Sequence, residues 1–139
     1  MAEMGWFQFS LFAMLIWGVW GFLGKIALNN LDWKVVYIFS GIGQLVVYLV
    51  FFVAARPSLA FSGNSTYYAL IFGALGVLAN VPFYQALSLG KASIVFPVSN
   101  LYPIITILLA VALLKEQLSV TQGVGIIFGM IAIVLISTG

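Results

Sequence analysis

The chain has 139 residues, 64% of them hydrophobic and 6% charged, with five Lys or Arg, three Asp or Glu and a formal net charge of +2. Soluble domains carry about 25% charged residues, so this composition cannot clothe a water-soluble domain and fits a lipid bilayer as solvent. The absence of Cys and His excludes thiol chemistry, disulfides and His/Cys metal sites, and the small net charge excludes a nucleic-acid footprint.

About 20 mostly apolar residues cross a ~30 Å hydrocarbon core as a helix. Five segments qualify, at roughly 6–28, 35–55, 67–89, 92–114 and 118–137. They occupy nearly the whole chain, so 1–139 reads as a single transmembrane domain with no room for a soluble one.

The first span, 6–28, is too long in its apolar part for a cleaved signal peptide. No Lys or Arg precedes it, and Leu28-Asn29-Asn30 is no small-residue cleavage site. Lipidation has no seat, because there is no Cys and position 2 is Ala. Trp17 and Trp20 lie too deep for an interfacial belt and are expected as packing or pocket walls. Lys25, about one turn inside the end, either snorkels to the interface or attracts an anionic substrate group. Gly18, Gly21 and Gly24 follow at i, i+3, i+6, a spacing that lets helices approach closely.

Asp32 stands where the second span needs an N-cap, and Leu31 and Val36 have hydrophobic-staple spacing. Within 35–55, Tyr37, Gly41, Gln44 and Tyr48 follow at i, i+4, i+7, i+11 on one face. Arg56-Pro57 closes the span, because proline cannot continue a helix. Residues 61–66 read as the longest loop, with Ser65 or Thr66 as a cap.

In the third span Asn80, Tyr84 and Ser88 follow at i, i+4, i+8 with Gln85 adjacent, and Gly73 and Gly76 align with Asn80. Gly90-Lys91 makes a short turn to an antiparallel fourth span, which carries Ser93, Ser99, Asn100, Tyr102 and Thr106. Pro82, Pro97 and Pro103 lie inside spans. Each removes one helical hydrogen bond and clashes with the i−4 carbonyl, here those of Leu78, Ser93 and Ser99. Two prolines six residues apart in one span point to a functional bend, although prolines are also generally frequent in membrane helices. Ser119-x-x-Gln122 has capping-box spacing and starts the fifth span, in which Gly125-x-x-x-Gly129 is a close-approach motif.

A polar residue inside a span must find a partner away from lipid. The stripes in spans two and three therefore have two readings. They either line a polar groove with aromatic edges, as a solute site requires, or hydrogen-bond between helices, at about 0.6 kcal/mol per pair. Candidate substrate-binding residues are Trp17, Trp20, Lys25, Tyr37, Gln44, Tyr48, Asn80, Tyr84, Gln85, Asn100 and Tyr102. No cofactor or metal is expected.

Five spans put the termini on opposite sides. Arg56 and Lys115 share the N-terminal side, while Lys25, Lys34 and Lys91 lie on the other. Orientation normally follows a Lys/Arg excess in cytoplasmic loops, and this near-even split is either noise in a small count or a sign of dual topology.

The sequence resembles the EamA-like branch of the drug/metabolite transporter superfamily. Trp17-Gly18 with Lys25-Ile26-Ala27-Leu28 is similar to the family's opening in helix one. The stretch from Ala79 to Leu87 resembles its aromatic-polar-Ala-Leu end of helix three. Ala92-Ser93, Pro97 and Pro103, then Glu116, Leu118-Ser119, Gln122 and Gly125 repeat the family's order in the last two helices. Family members usually carry two five-helix repeats of opposite topology. The resemblance therefore implies an all-α membrane protein whose five helices form one half of an inverted-repeat transporter, completed by homodimerisation, with Gly125 and Gly129 as dimer-face candidates. It also implies a cell-membrane location, a small-molecule substrate and no enzymatic activity. The small multidrug resistance branch works through an acidic residue inside helix one. Here Glu3, Asp32 and Glu116 all sit at span edges, which disfavours such a relay. A non-transporting subunit or a lipid-headgroup flippase component is the alternative.

Overall fold

A computed structural model describes residues 5–138. Glu3 and the N-terminal amine lie outside the described residues. All regular structure among the described residues is helical: α1 Trp6–Leu28, α2 Trp33–Ala55, α3 Gly63–Leu89, α4 Ala92–Ser99, α5 Tyr102–Leu114 and α6 Val120–Thr138. Five stretches are long and apolar enough to cross a membrane, with α4 and α5 together forming the fourth, Ala92–Leu114. In hydrocarbon a backbone must satisfy its own polar groups, and the helix does so within one segment.

Local chemistry sets the helix ends, and it moves some of them from the expected positions. Asp32 accepts a hydrogen bond from the Lys34 N–H at 2.8 Å, so α2 begins at Trp33, two residues before the expected 35. Arg56 closes α2 in the left-handed region (φ 45°) with its N–H on the Phe52 carbonyl at 2.9 Å. Helix α3 begins at Gly63, four residues ahead of the expected 67. The Thr66 hydroxyl accepts the Ser62 N–H at 2.9 Å, so Thr66 caps from inside the first turn instead of from before it. Gly63 takes φ +49° there, a conformation that costs glycine little. At α6 the capping box forms as spaced: the Ser119 N–H donates to Gln122 Oε1 at 2.8 Å, and the Gln122 N–H donates to Ser119 Oγ at 3.2 Å. Ser119 is thereby the cap, which puts the start at Val120 and not 118.

The fourth span is interrupted at Asn100–Leu101, between Pro97 and Pro103, the two prolines whose spacing points to a bend. Pro103 has no N–H for the Ser99 carbonyl and takes a first-turn position of α5, where that loss is harmless. The break is closed by tighter bonds, Leu101 N–H to Val98 at 3.2 Å and Ile104 N–H to Leu101 at 3.0 Å. Pro82, by contrast, lies inside α3 without ending it.

The chain divides into two compact units, Met1–Leu89 and Gly90–Gly139. In the first, α2 packs mainly on α3 and α1 touches both; in the second, α4 packs on α6. Interior is scarce. Among the described residues the buried large apolar side chains are Leu28, Val36, Tyr84 and Leu87, all in the first unit. Long runs such as Val46, Val47, Leu49, Val50 and Phe51 are exposed. An apolar surface on this scale is stable only against lipid or another protein, which makes this a multi-pass membrane protein.

Candidate functional site: a groove between the second and third helices

The groove is built in the first unit from α2 and α3, encloses about 210 Å³, and is lined by Tyr37, Ser40, Gly41, Gln44, Val77 and Asn80 among others. Helical spacing brings Tyr37, Gly41 and Gln44 to one face of α2, and the packing of α2 on α3 sets Asn80 opposite them. Gly41 helps open the space, since a Cβ added there would meet nothing within 4 Å. The Tyr37 hydroxyl donates a long bond to the Val77 carbonyl (3.4 Å), and the Ser40 hydroxyl donates to the Tyr37 carbonyl at 2.8 Å. The amides of Gln44 and Asn80, both half-buried, make no hydrogen bond among the described residues. Among the described residues lining the groove, none is charged.

Tyr37 also touches an aromatic cluster centred on Tyr84, which is 2% exposed. Trp20 of α1 stacks on Phe83 with centroids 5.8 Å apart and planes 16° apart, and lies 6.5 Å from Tyr84. Tyr37 meets Tyr84 edge-on at 6.1 Å. Such pairs add about 0.5–1.5 kcal/mol beyond the area they bury, so the cluster joins all three helices and holds one wall of the groove.

Lys25 sits beside this cluster, where its Nζ donates to the Leu87 carbonyl at 2.9 Å. Leu87 lies in the last turn of α3, whose final carbonyls have no helical N–H partners and carry the negative end of the dipole. A cation there satisfies an orphan acceptor, and Lys25 thereby ties α1 to α3.

The sequence-derived candidates therefore separate. Tyr37, Gln44 and Asn80 come together at the groove, and Tyr84 and Trp20 support it from behind. Trp17 (64% exposed), Tyr48 (65%) and Gln85 point elsewhere and are not among its lining residues. Asn100 and Tyr102 belong to the second unit, where Asn100 Nδ2 donates to the Phe96 carbonyl at 2.8 Å and finishes α4. Gly18, Gly24, Gly73, Gly76, Gly125 and Gly129 would each accept a Cβ without meeting an atom within 4 Å, so no close approach is made at these positions, whereas Gly21, between the first two, is buried. Sequence reasoning missed Phe83, Ser40 and the Leu87 carbonyl. Ser40 could have been found at i+3 from Tyr37, whereas a backbone carbonyl has no signature in residue type.

An uncharacterized protein of Methanocaldococcus jannaschii is 32% identical over 131 residues, covering 92% of this chain and 93% of that one. No solved structure matches the chain significantly. The family described as the EamA-like transporter family matches residues 4–138. The chain, with its five apolar spans and a groove between its second and third helices, belongs to the EamA-like transporter family of the drug/metabolite transporter superfamily.

Proposed function

We propose that the protein is a secondary transporter of a small metabolite or amphipathic compound, acting by alternating access as a homodimer in the cell membrane. The observation that carries this reading is the pair of amides, Gln44 and Asn80, held in one groove with no hydrogen-bond partner among the described residues. Leaving polar groups unpaired in an apolar surrounding is costly, and a passing solute that pairs with them recovers that cost. The break at Asn100–Leu101, with Pro97 and Pro103 on either side, supports a role for the fourth span as the bending element of the cycle. In liposomes holding the purified protein, uptake from a labelled panel of small amphipathic metabolites is expected. Gln44→Leu and Asn80→Leu should each reduce it about 2- to 10-fold, the equivalent of one hydrogen bond, with helicity retained. No uptake by well-folded protein favours a non-transporting subunit instead.

The second half of the transporter is a second copy inserted the other way up. An odd number of spans, a near-even division of Lys and Arg, and the open Gly125/Gly129 face of α6 support this arrangement. Reporters fused to the C-terminus should then read out on both sides of the native membrane. A strictly one-sided C-terminus rules the antiparallel pair out.

A further inference from the structure

From the chemistry of the groove we infer that its solute is uncharged, carries both hydrogen-bond donors and acceptors, and has a flat apolar part that lies against Tyr37. This inference rests on the transport reading and names its substrate class.

Depth comes first. Gln44 is the midpoint of Trp33–Ala55, and Asn80 lies nine residues before Leu89, the end of α3. At about 1.5 Å per residue these positions are about 16 and 14 Å from the helix ends, close to the middle of a ~30 Å core. At that depth an ion needs a counter-charge or dense solvation.

The groove offers neither. Among the described residues of the first unit its lining is mainly apolar, with hydroxyls and two amides and no charged side chain. Lys34 stands at the start of α2, about 15 Å along the helix from Gln44. The Lys25 ammonium is engaged by the Leu87 carbonyl, about 10 Å along α3 from Asn80. Coulomb attraction at that range is smaller than the cost of dehydrating an anion. Cations, anions and zwitterions are all disfavoured.

What the groove does offer is two side-chain amides, each with two donor hydrogens and an acceptor oxygen. The complement of an amide is a group of the same kind: a carboxamide, a lactam, a urea or a neutral polyol. Tyr37, held edge-on by Tyr84, supplies a ring face for the apolar part. At about 210 Å³ the space is below the ~300–1,000 Å³ of drug-sized pockets, so the part of the solute held in this open groove is small.

The test uses the full chain in lipid nanodiscs at about pH 6, where an α-amine is protonated, and four probes with a common skeleton: neutral N-acetylphenylalaninamide, anionic N-acetylphenylalanine, cationic phenylalaninamide and zwitterionic phenylalanine. Equilibrium binding should favour the neutral probe at least about tenfold over each charged one, a difference of one desolvated charge. Gln44→Leu and Asn80→Leu should each weaken its binding about 2- to 10-fold, while Tyr48→Leu, outside the groove, leaves it unchanged. If a leucine variant fails to fold, the serine variant replaces it. The inference is overturned if a charged probe binds as tightly, if no probe binds, or if both groove variants bind like the parent protein. A change confined to dimerisation in those variants also overturns it, because a second copy then occupies the amides. Counterflow in liposomes separates the two levels. Binding of the neutral probe without flux overturns transport and supports the substrate class; flux of a charged probe alone supports transport and overturns the class.

Discussion

Replacing Tyr84 with Ala is expected to lower the stability of the folded protein by about 3–5 kcal/mol, the range for removing a large buried aromatic ring. Tyr84 is 2% exposed and contacts Trp20 of α1, Phe83 of its own helix and Tyr37 of α2. Its removal opens a cavity where three helices meet, in a chain with few other buried side chains. Lipid-facing residues cannot make up the loss, since between membrane helices packing carries much of the association energy. Tyr84→Phe keeps the ring, and among the described residues the hydroxyl makes no hydrogen bond, so this variant should cost well under 1 kcal/mol. Denaturant titration in mixed micelles, followed by helicity and Trp fluorescence, measures both. A loss below about 1 kcal/mol for Tyr84→Ala contradicts the central role given to the cluster.

The Lys25 tie should be the next most sensitive feature. Lys25→Met keeps the length of the side chain and removes the donor to the Leu87 carbonyl. Hydrogen bonds to charged groups contribute about 1.5–3 kcal/mol, and an orphan carbonyl at a helix C-terminus gains further from a nearby cation. The expected result is a loss in that range, together with a wider α1–α3 separation measured between spin labels near Lys25 and Leu87. Lys25→Arg, which retains donors and charge, should recover part of both. Greater stability in Lys25→Met shows that dehydration of the ammonium outweighs its bond, and the tie is then not a stabilising one.

Much of the candidate site could be read before any coordinates. Tyr37, Gly41 and Gln44 share a face because 3.6 residues make a turn, and Asn80 stands on the matching stripe of α3. The same periodicity extends to Tyr48 and Gln85, which the fold leaves exposed. Periodicity names a face; it does not say how far along that face a neighbouring helix stays in contact. The two readings of Lys25 both treated its partner as a solvent interface or a ligand. The partner is a main-chain carbonyl 62 positions away, and every residue type carries one.

The number of spans, the membrane as solvent and most helix ends follow from the sequence, because they depend on local properties: apolar length against bilayer thickness, caps such as Asp32 and Ser119, and the missing N–H of proline. Tertiary structure alone decided which polar residues share a groove, which aromatic rings stack behind it and where the Lys25 ammonium goes. It also buried Gly21 and left Gly18, Gly24, Gly73, Gly76, Gly125 and Gly129 with open space beside them. These outcomes depend on the register and facing of helices distant in sequence. In lipid no strong hydrophobic force selects that facing, and in the first unit ring contacts, the Tyr37–Val77 bond and the Lys25–Leu87 bond help to fix it, which residue composition does not encode.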